Sequence, residues 1–324
     1  RMSGLKRQCA VLVTFLLISS IGQVARAHEL RAWGGDYVNQ VTDTPPGSDF
    51  IAIAAGDEHG VALKADGTVV AWGQDHDGQN VPPATLGACK AVGAGGDFSL
   101  AIQNDGTIVH WGDDPDGVDL VPAGTYTAVD GGEYFAVALA TDGSIVAWGS
   151  DTYGQVTNVP AGTDFIQVVA GDSHAVALRA NLSVVSWGYV GGTSGQPDSG
   201  TYTQVSAGHD YSLALASDGS IVHWGDDPWD HDLDIVPPGN DFVEISAGYI
   251  HGLARRADGT VVGWGAGTDA SGHPHWGQAA PPPGDDYVAL SGGLYWSLSM
   301  TASKALFADG FESGDLSAWT SFVQ

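Results

Sequence analysis

Carboxylates dominate the side chains of this sequence that could do chemistry. The chain has 38 Asp and Glu residues against 11 Lys and Arg, and acids cluster in loops at 75–77, 113–116 and 226–232. Several carboxylates together with carbonyl groups can bind calcium. None of these loops has the twelve-residue calcium pattern that ends in Glu, and Asp beside Gly or Pro ordinarily forms turns. We therefore predict no metal ligand and keep calcium in the Asp-rich loops as an alternative.

Motifs for other reactions are missing from the sequence. It contains no Gly-x-Ser-x-Gly nucleophile elbow, no His-Glu-x-x-His zinc motif and no phosphate-binding loop. We therefore predict no catalytic residue and no cofactor. One enzymatic alternative remains, in which rim carboxylates such as Glu58, Asp97 and Asp210 act on an extracellular polysaccharide.

A recurring Trp-Gly pair identifies the elements that must position these loops. Successive Trp residues are 37 to 40 positions apart, so the chain is an array of one supersecondary unit. The seven Trp residues, which we expect to pack between units, are Trp33, Trp72, Trp111, Trp148, Trp187, Trp224 and Trp264.

The first complete unit, residues 50–78, predicts three antiparallel strands. The alternating apolar runs 59–63 and 68–72 flank Asp66-Gly67, which is a strong signal for a tight β-hairpin. The run before them ends in Ala55-Gly56, whose small residues suit a strand near a crowded axis. Each unit is therefore expected to be a small antiparallel sheet.

The two ends of the array predict how it closes. A Trp-Gly strand precedes the first inner strand, whereas none follows the last, which ends at Gly292-Gly293. Pairing Ala32-Trp33-Gly34 with the last sheet would complete seven sheets and remove two open edges. We predict an all-β fold over residues 28–303, a seven-bladed β-propeller whose N-terminal strand closes the last blade.

The repeat resembles that of the RCC1-type repeat family. The pattern A-G-x-x-H-x-x-A-L-x-x-D-G-x-V-x-x-W-G is complete over 55–73 and almost complete over 170–188. Its short period is similar to that of bacterial secreted members, among them a propeller inhibitor of β-lactamase. The resemblance implies the propeller fold and several functions, including guanine-nucleotide exchange, ultraviolet sensing and binding of a protease or lactamase. Fold alone does not choose among them.

Strand register separates predicted core positions from predicted contact positions. One column of His and aromatic residues is in phase with buried apolar positions and is expected to be core; it contains His59, Phe98, Phe135, His174, Tyr211, His251 and Trp296. The preceding column is expected at the opening of the propeller, where exposed aromatics are typical interface anchors. From it and its surroundings the candidate binding residues are Glu58, Asp97, Tyr134, Asp210, Trp229, Tyr249, Ile250, Leu294 and Tyr295.

Both ends of the sequence differ from the repeats. Residues 1–27 combine basic residues, a short apolar stretch and Ala25-Arg26-Ala27, and so predict a signal peptide cleaved near Ala27. The stretch is too short to span a bilayer, so we expect a bacterial protein that is secreted or periplasmic. Residues 304–324 form a tail that resembles short sorting tags of exported bacterial proteins.

Net charge narrows the class of partner. The leader carries four of the 11 basic residues and no acid, so the remaining chain has a net charge of −31. This charge argues against nucleic acid, because phosphate binding depends on cations, and favours a cationic protein or peptide. Our leading hypothesis is a monomeric secreted propeller that binds such a partner through one acidic, partly aromatic face. Guanine-nucleotide exchange, implied by the family resemblance, is a remote alternative.

Overall fold

The computed structural model describes residues 28–113, 115–228, 231–266 and 277–302. The predicted leader, the tail from residue 304 and the candidate Trp229 lie outside the described residues. Within them the regular secondary structure is almost entirely β-strand, with one short α-helix, Val190–Thr193, and one 3-10 turn, Pro115–Gly117. No helix in these ranges is long and apolar enough to cross a membrane.

Strands occupy three positions that recur along the chain. The first position, nearest the common axis, is taken by β2 (Phe50–Ala55), β5 (Cys89–Ala94), β8 (Tyr126–Gly131), β11 (Phe165–Ala170), β14 (Tyr202–Ala207), β17 (Phe242–Ala247) and β20 (Tyr287–Gly292). The middle position is taken by β3 (His59–Lys64), β6 (Phe98–Gln103), β9 (Phe135–Ala140), β12 (His174–Arg179), β15 (Tyr211–Ala216), β18 (His251–Arg256) and β21 (Trp296–Ala302). The third position is taken by β4 (Val69–Gly73), β7 (Ile108–Gly112), β10 (Ile145–Gly149), β13 (Val184–Gly188), β16 (Ile221–Gly225), β19 (Val261–Gly265) and the N-terminal β1 (His28–Gly34).

In the described residues these strands form six antiparallel sheets. Five sheets contain three consecutive strands each, and the sixth has the order β20-β21-β1-β2-β3-β4. Strand β1 pairs with β21 over seven residue pairs, from His28 with Ala302 to Gly34 with Trp296. A single pair, His28 with Phe50, joins β1 to β2. The sixth sheet therefore consists of two three-stranded groups, and the N-terminal strand completes the group of β20 and β21.

The predicted hairpin turns are present between the middle and third strands. At Asp66-Gly67 the glycine has φ = +88°, and the Asp66 carboxylate accepts the backbone N–H of Thr68 at 2.9 Å. The one unit with Asn181-Leu182 keeps the same turn, although Leu182 must adopt φ = +68°, a region that disfavours residues with a Cβ. The turn geometry is therefore retained even where the glycine that favours it is missing.

The column of His and aromatic residues is the core, as the register predicts. All seven of its side chains are fully buried. Its three histidines bond to serines of the neighbouring sheet: His59 Nε2 to Ser99 Oγ at 2.9 Å and His174 Nε2 to Ser212 Oγ at 2.8 Å, with His251 similar. Burial lowers the pKa of His59 and of His174 to about 4. These histidines are therefore neutral packing elements.

The Trp residues of the Trp-Gly pairs are buried and link successive units. Their side chains are 3% to 8% exposed. The indole N–H of Trp72 donates to the carbonyl oxygen of Gln40 at 2.8 Å, and that of Trp111 donates to Gln79 at 2.9 Å. Each acceptor lies in the loop that follows the previous Trp-Gly pair. The predicted packing role of the Trp residues is therefore confirmed.

Candidate functional site

The first-position strands line one cavity of about 160 Å³, called the channel below. Each of these strands in the described residues contributes its last residues to the lining. At one end, the channel mouth, the chain leaves each strand at a glycine and the next residue turns toward the axis. These mouth residues are Asp57, Gly96, Glu133, Asp172, His209, Tyr249 and Leu294.

Backbone hydrogen bonds hold the mouth residues in place. Each bond runs from an N–H of one group of strands to a carbonyl oxygen of the next, at 3.0 to 3.4 Å. The donor and acceptor pairs are Asp57 to Gly96, Gly96 to Gly132, Glu133 to Asp172, Asp172 to Gly208, His209 to Tyr249, Tyr249 to Gly293 and Leu294 to Asp57. The last bond returns from the end of the array to its beginning.

Three of the mouth residues, Asp57, Glu133 and Asp172, carry carboxylates and form its acidic wall. Burial, followed by the charges of Asp172, Asp97 and Glu133, raises the pKa of Asp57 to about 7. Burial also raises the pKa of Asp172 to about 7, opposed by His209 and supported by a hydrogen bond with the Glu133 carboxyl group. Asp57 and Asp172 therefore retain protons closer to neutral pH than an ordinary Asp does, because burial and neighbouring negative charges disfavour their ionised forms.

A fourth carboxyl group, Asp130, lies deeper in the channel. It accepts the backbone N–H of Ala170 at 3.0 Å and that of Gly131 at 3.1 Å. Burial nevertheless raises its pKa to about 7. In β14, β17 and β20 a serine takes the equivalent place, and Ser206 Oγ accepts the N–H of Ala247 at 2.9 Å. Asp130 therefore adds a titratable group where other units use a neutral one.

His209 joins the acidic wall to an aromatic wall. Its Nδ1 lies 3.1 Å from the Asp210 carboxylate and its Nε2 lies 3.6 Å from that of Asp172. Burial alone would lower the pKa of His209, but the hydrogen bond to Asp210 and the charge of Asp172 raise it overall. At mildly acidic pH His209 therefore supplies a positive charge to the mouth.

The aromatic wall runs from His209 toward the rim. The ring centroids of His209 and Tyr249 are 4.2 Å apart, and those of Tyr249 and Tyr295 are 6.1 Å apart with an edge-to-face angle of 66°. Tyr37, which is half exposed, lies near Tyr295, because Gly35 is close to both residues. A Cβ placed on Gly35 would lie 3.2 Å from the Tyr37 ring and 3.1 Å from the Tyr295 carbonyl oxygen. Leu294 completes the apolar side of the channel lining.

The candidate residues from the sequence occupy two zones. Tyr249 and Leu294 line the channel, whereas Glu58, Asp97, Asp210, Ile250 and Tyr295, all half-buried, surround it. Asp97 accepts a hydrogen bond from Gln79 at 3.2 Å. Tyr134 is 44% exposed, and a hydrogen bond to Glu133 raises its pKa to about 12.

Sequence reasoning missed four residues of the mouth: Asp57, Glu133, Asp172 and His209. These four residues lie one position before the column expected at the opening, because the turn toward the axis begins directly after the strand-ending glycine. The residue after each Ala-Gly or Gly-Gly pair was the signal that could have identified them. In the described part of the chain, no group of three or more His, Cys, Asp or Glu residues could hold a metal ion.

The Lys and Arg residues in ion pairs lie away from the mouth, mostly at the opposite end of the strands. Lys64 Nζ lies 3.3 Å from the Asp49 carboxylate and 5.4 Å from the Phe50 ring centroid. The same arrangement recurs with Arg31, Arg179 and Arg256, each paired with an Asp and placed over an aromatic ring. These cations therefore neutralise acids of that end and leave the mouth acidic.

Comparisons with known proteins identify the repeat and the fold. The family model for the regulator of chromosome condensation (RCC1) repeat matches residues 50–79 and 126–155. The structure is similar to that of Prp20p from Saccharomyces cerevisiae, with 16% identity, a TM-score of 0.69 and coverage of 86% of this chain and 92% of that chain. It is also similar to human WBSCR16, with 15% identity, a TM-score of 0.67 and coverage of 86% and 100%.

A third similar structure is the ectodomain of the receptor kinase CR4 from Physcomitrella patens. Its identity is 20%, its TM-score is 0.63, and the match covers 72% of this chain and 66% of that chain. No curated protein matched the chain. At these identities the structural likeness shows the fold alone. Two segments of the chain therefore match the RCC1 repeat, and the described structure has an RCC1-like propeller fold.

Proposed function

We propose that this RCC1-repeat propeller is a binding module that takes a cationic segment of a protein or peptide partner on its mouth face. RCC1-repeat propellers generally act in protein interactions. The structurally similar protein Prp20p binds Gsp1p and histones. One observation carries the proposal. Within the described residues, no Lys or Arg forms an ion pair with Asp57, Glu133 or Asp172.

The mouth combines two features that binding requires. Its acids create a negative field that speeds encounter with a cationic partner. Its aromatic wall offers Tyr249 and Tyr295 as rigid anchors that bury area at low entropic cost. The field therefore governs the association rate, and the aromatic contacts govern how long the complex lasts.

The proposal includes a closed ring of seven three-stranded blades. Pairing of β1 with β21 supports seven groups of three strands. The hydrogen bond from Leu294 to Asp57, at 3.1 Å, supports closure of the mouth. A closed ring would hold the mouth residues at constant spacing, because no sheet edge is left free to open.

The proposed setting is outside the cytoplasm, with the propeller as a monomer. The composition of residues 1–27 supports export, and the net charge of −31 for the rest of the chain supports solubility there. In this setting the partner would be an extracellular or periplasmic protein with a basic surface segment.

Binding of basic peptides to the full chain tests the proposed function. We would titrate it with a Lys- and Arg-rich peptide and with a Glu-rich peptide of equal length, at low and moderate salt. We expect binding of the basic peptide alone, weakening as salt screens the field over about 10 Å. Absence of binding by the basic peptide at low salt would overturn the proposal.

A further inference from the structure

We propose that the channel mouth is a pocket for one alkylammonium group, with the ammonium among Asp57, Glu133 and Asp172 and its alkyl stem against Tyr249 and Leu294. The inference rests on the proposed function and names the chemical group that the site selects. In the partner this group is a Lys side chain. The geometry of three features carries the inference: an unsatisfied carboxylate, an apolar wall and a replaceable internal cation.

The Asp57 carboxylate has no donor of its own. Within the described residues its side chain accepts no hydrogen bond, although it lies in the channel lining. Asp130, farther along the same channel, accepts two backbone N–H groups. A carboxylate without a donor in a partly enclosed space is costly. An ammonium group has three N–H donors and a positive charge. It can therefore supply the hydrogen-bond donor that the Asp57 carboxylate lacks.

The distribution of the acids favours ammonium over guanidinium. Asp57, Glu133 and Asp172 follow three different strands, β2, β8 and β11, and so approach the axis from separate directions. A compact ammonium can donate to acceptors around it, whereas the planar fork of Arg matches two oxygens side by side. The mouth therefore fits Lys better than Arg.

The apolar part of the lining suits the stem of the same ligand. Tyr249 and Leu294 line the channel between His209 and Asp57. Lys side chains place their methylene groups on apolar surfaces while the charged end stays with polar groups, and an aromatic face attracts the cation itself. A bare metal ion would gain nothing from this wall.

His209 acts as an internal cation that the ligand replaces. In its protonated form it pairs with Asp172 at 3.6 Å and with Asp210 at 3.1 Å. When His209 loses its proton, Asp172 loses its positive neighbour, and an external ammonium can take that role. Binding should therefore strengthen as pH rises from 5.5 to 8. The titratable groups that face the mouth are Asp57, Glu58, Asp97, Asp130, Glu133, Tyr134, Asp172, His209, Asp210, Tyr249 and Tyr295.

The test compares ligands and variants by calorimetry on the full chain. The probes are a Lys-rich peptide, the same peptide with Arg for Lys, the same peptide with acetyl-lysine, 1,5-diaminopentane and CaCl₂. We expect Lys to bind more tightly than Arg and acetyl-lysine not to bind. Binding at pH 7 should release protons, seen as a dependence of the heat on the ionisation enthalpy of the buffer, because the ammonium favours ionised Asp57 and Asp172.

Variants locate the pocket. Asp57→Asn should weaken Lys-peptide binding by about tenfold or more, as loss of a charge-assisted hydrogen bond does, and Tyr249→Leu should weaken it less. Asp75→Asn, which removes the same charge from an exposed loop, is the matched control and should change the dissociation constant by less than about twofold. Unchanged melting temperatures establish that the variants fold.

The outcomes separate this pocket from the proposed function. Equal binding of Lys and Arg peptides, with equal losses in Asp57→Asn and Asp75→Asn, would overturn the pocket and leave a face that acts by net charge. Calcium displacing the peptide in an Asp57-dependent manner would also overturn it. Diaminopentane binding without peptide binding would support the pocket but contradict a protein partner. Failure of every cation to bind would overturn both.

Discussion

The indole N–H of Trp33 donates a hydrogen bond of 2.8 Å to the carbonyl oxygen of Gln278, across 245 positions of the chain. The contact repeats the one between Trp72 and Gln40 at 2.8 Å, in which donor and acceptor belong to successive units. Trp33 therefore bonds to the loop that follows Trp264, as Trp72 bonds to the loop that follows Trp33, although Trp33 comes first in the sequence. Several predictions about stability and binding depend on this arrangement.

Deleting residues 28–36 should destabilise the protein severely. The deletion removes β1 with its seven pairs to β21 and the buried Trp33, and exposes strand edges. We expect aggregation or a fall in melting temperature of about 10 °C or more, as for a loss of several kcal/mol. Leu120→Ala, at a side chain that is 73% exposed, is the control. A melting temperature unaffected by the deletion would show that β1 does not complete the last sheet.

Trp148→Ala should lower the free energy of unfolding by about 3–5 kcal/mol, as large aromatic truncations in cores do. Trp148 is 5% exposed, and its indole N–H donates to the Val118 carbonyl oxygen at 2.7 Å. Denaturant titration measures the change, with Ile235→Ala, 64% exposed, as the control. Intact stability with abolished binding would mean that Trp148 belongs to the site.

His251→Phe should reduce the sensitivity of the fold to acid. Burial lowers the pKa of His251 to about 3, so the unfolded state binds its proton first and stability is lost as pH falls below 6.5. The Phe variant should gain about 2 kcal/mol over wild type between pH 7 and pH 5. Phe is compatible with this column, because Phe98 and Phe135 occupy it in other units. Parallel stability curves for the two proteins would contradict the assignment.

Asp130→Ser should stabilise the protein at alkaline pH. The folded state raises the pKa of Asp130 to about 7, so it retains a proton that the unfolded state releases, and stability is lost as pH rises from about 4 through 7. Serine keeps an acceptor for Ala170, as Ser246 does for Gly292 at 3.0 Å. We expect a gain of up to about 4 kcal/mol at pH 8, shrinking toward pH 4. A gain independent of pH would show that the effect is packing.

Tyr295→Ala should shorten the life of the complex with a basic peptide. Loss of an aromatic anchor should raise the dissociation rate about five- to tenfold, while added salt should mainly slow association. Lys64→Ala, at the opposite end of the strands, should do neither. Surface plasmon resonance at two salt concentrations measures both rates. Equal effects of Tyr295→Ala and Lys64→Ala would show that the peptide does not bind at the mouth face.

Periodicity in the sequence was enough to predict the sheets and the core. The Trp-Gly spacing, the Asp66-Gly67 hairpin and the column that contains His59 are local patterns, because a strand exposes alternate residues to alternate faces. The missing strand after Gly292-Gly293 also predicted a partner for the Trp33 strand. These features depend on chain order and side-chain alternation, which the sequence contains in full.

The tertiary structure alone decided which residues face the channel. Asp57 rather than Glu58 turns to the axis, because its backbone N–H bonds to Gly96 in the neighbouring sheet, a contact that no local pattern encodes. Likewise, Asp172 and His209 follow different strands and become a pair only when two sheets pack side by side. The raised pKa values of the mouth follow from the same packing, since burial and charge repulsion act through space and not along the chain.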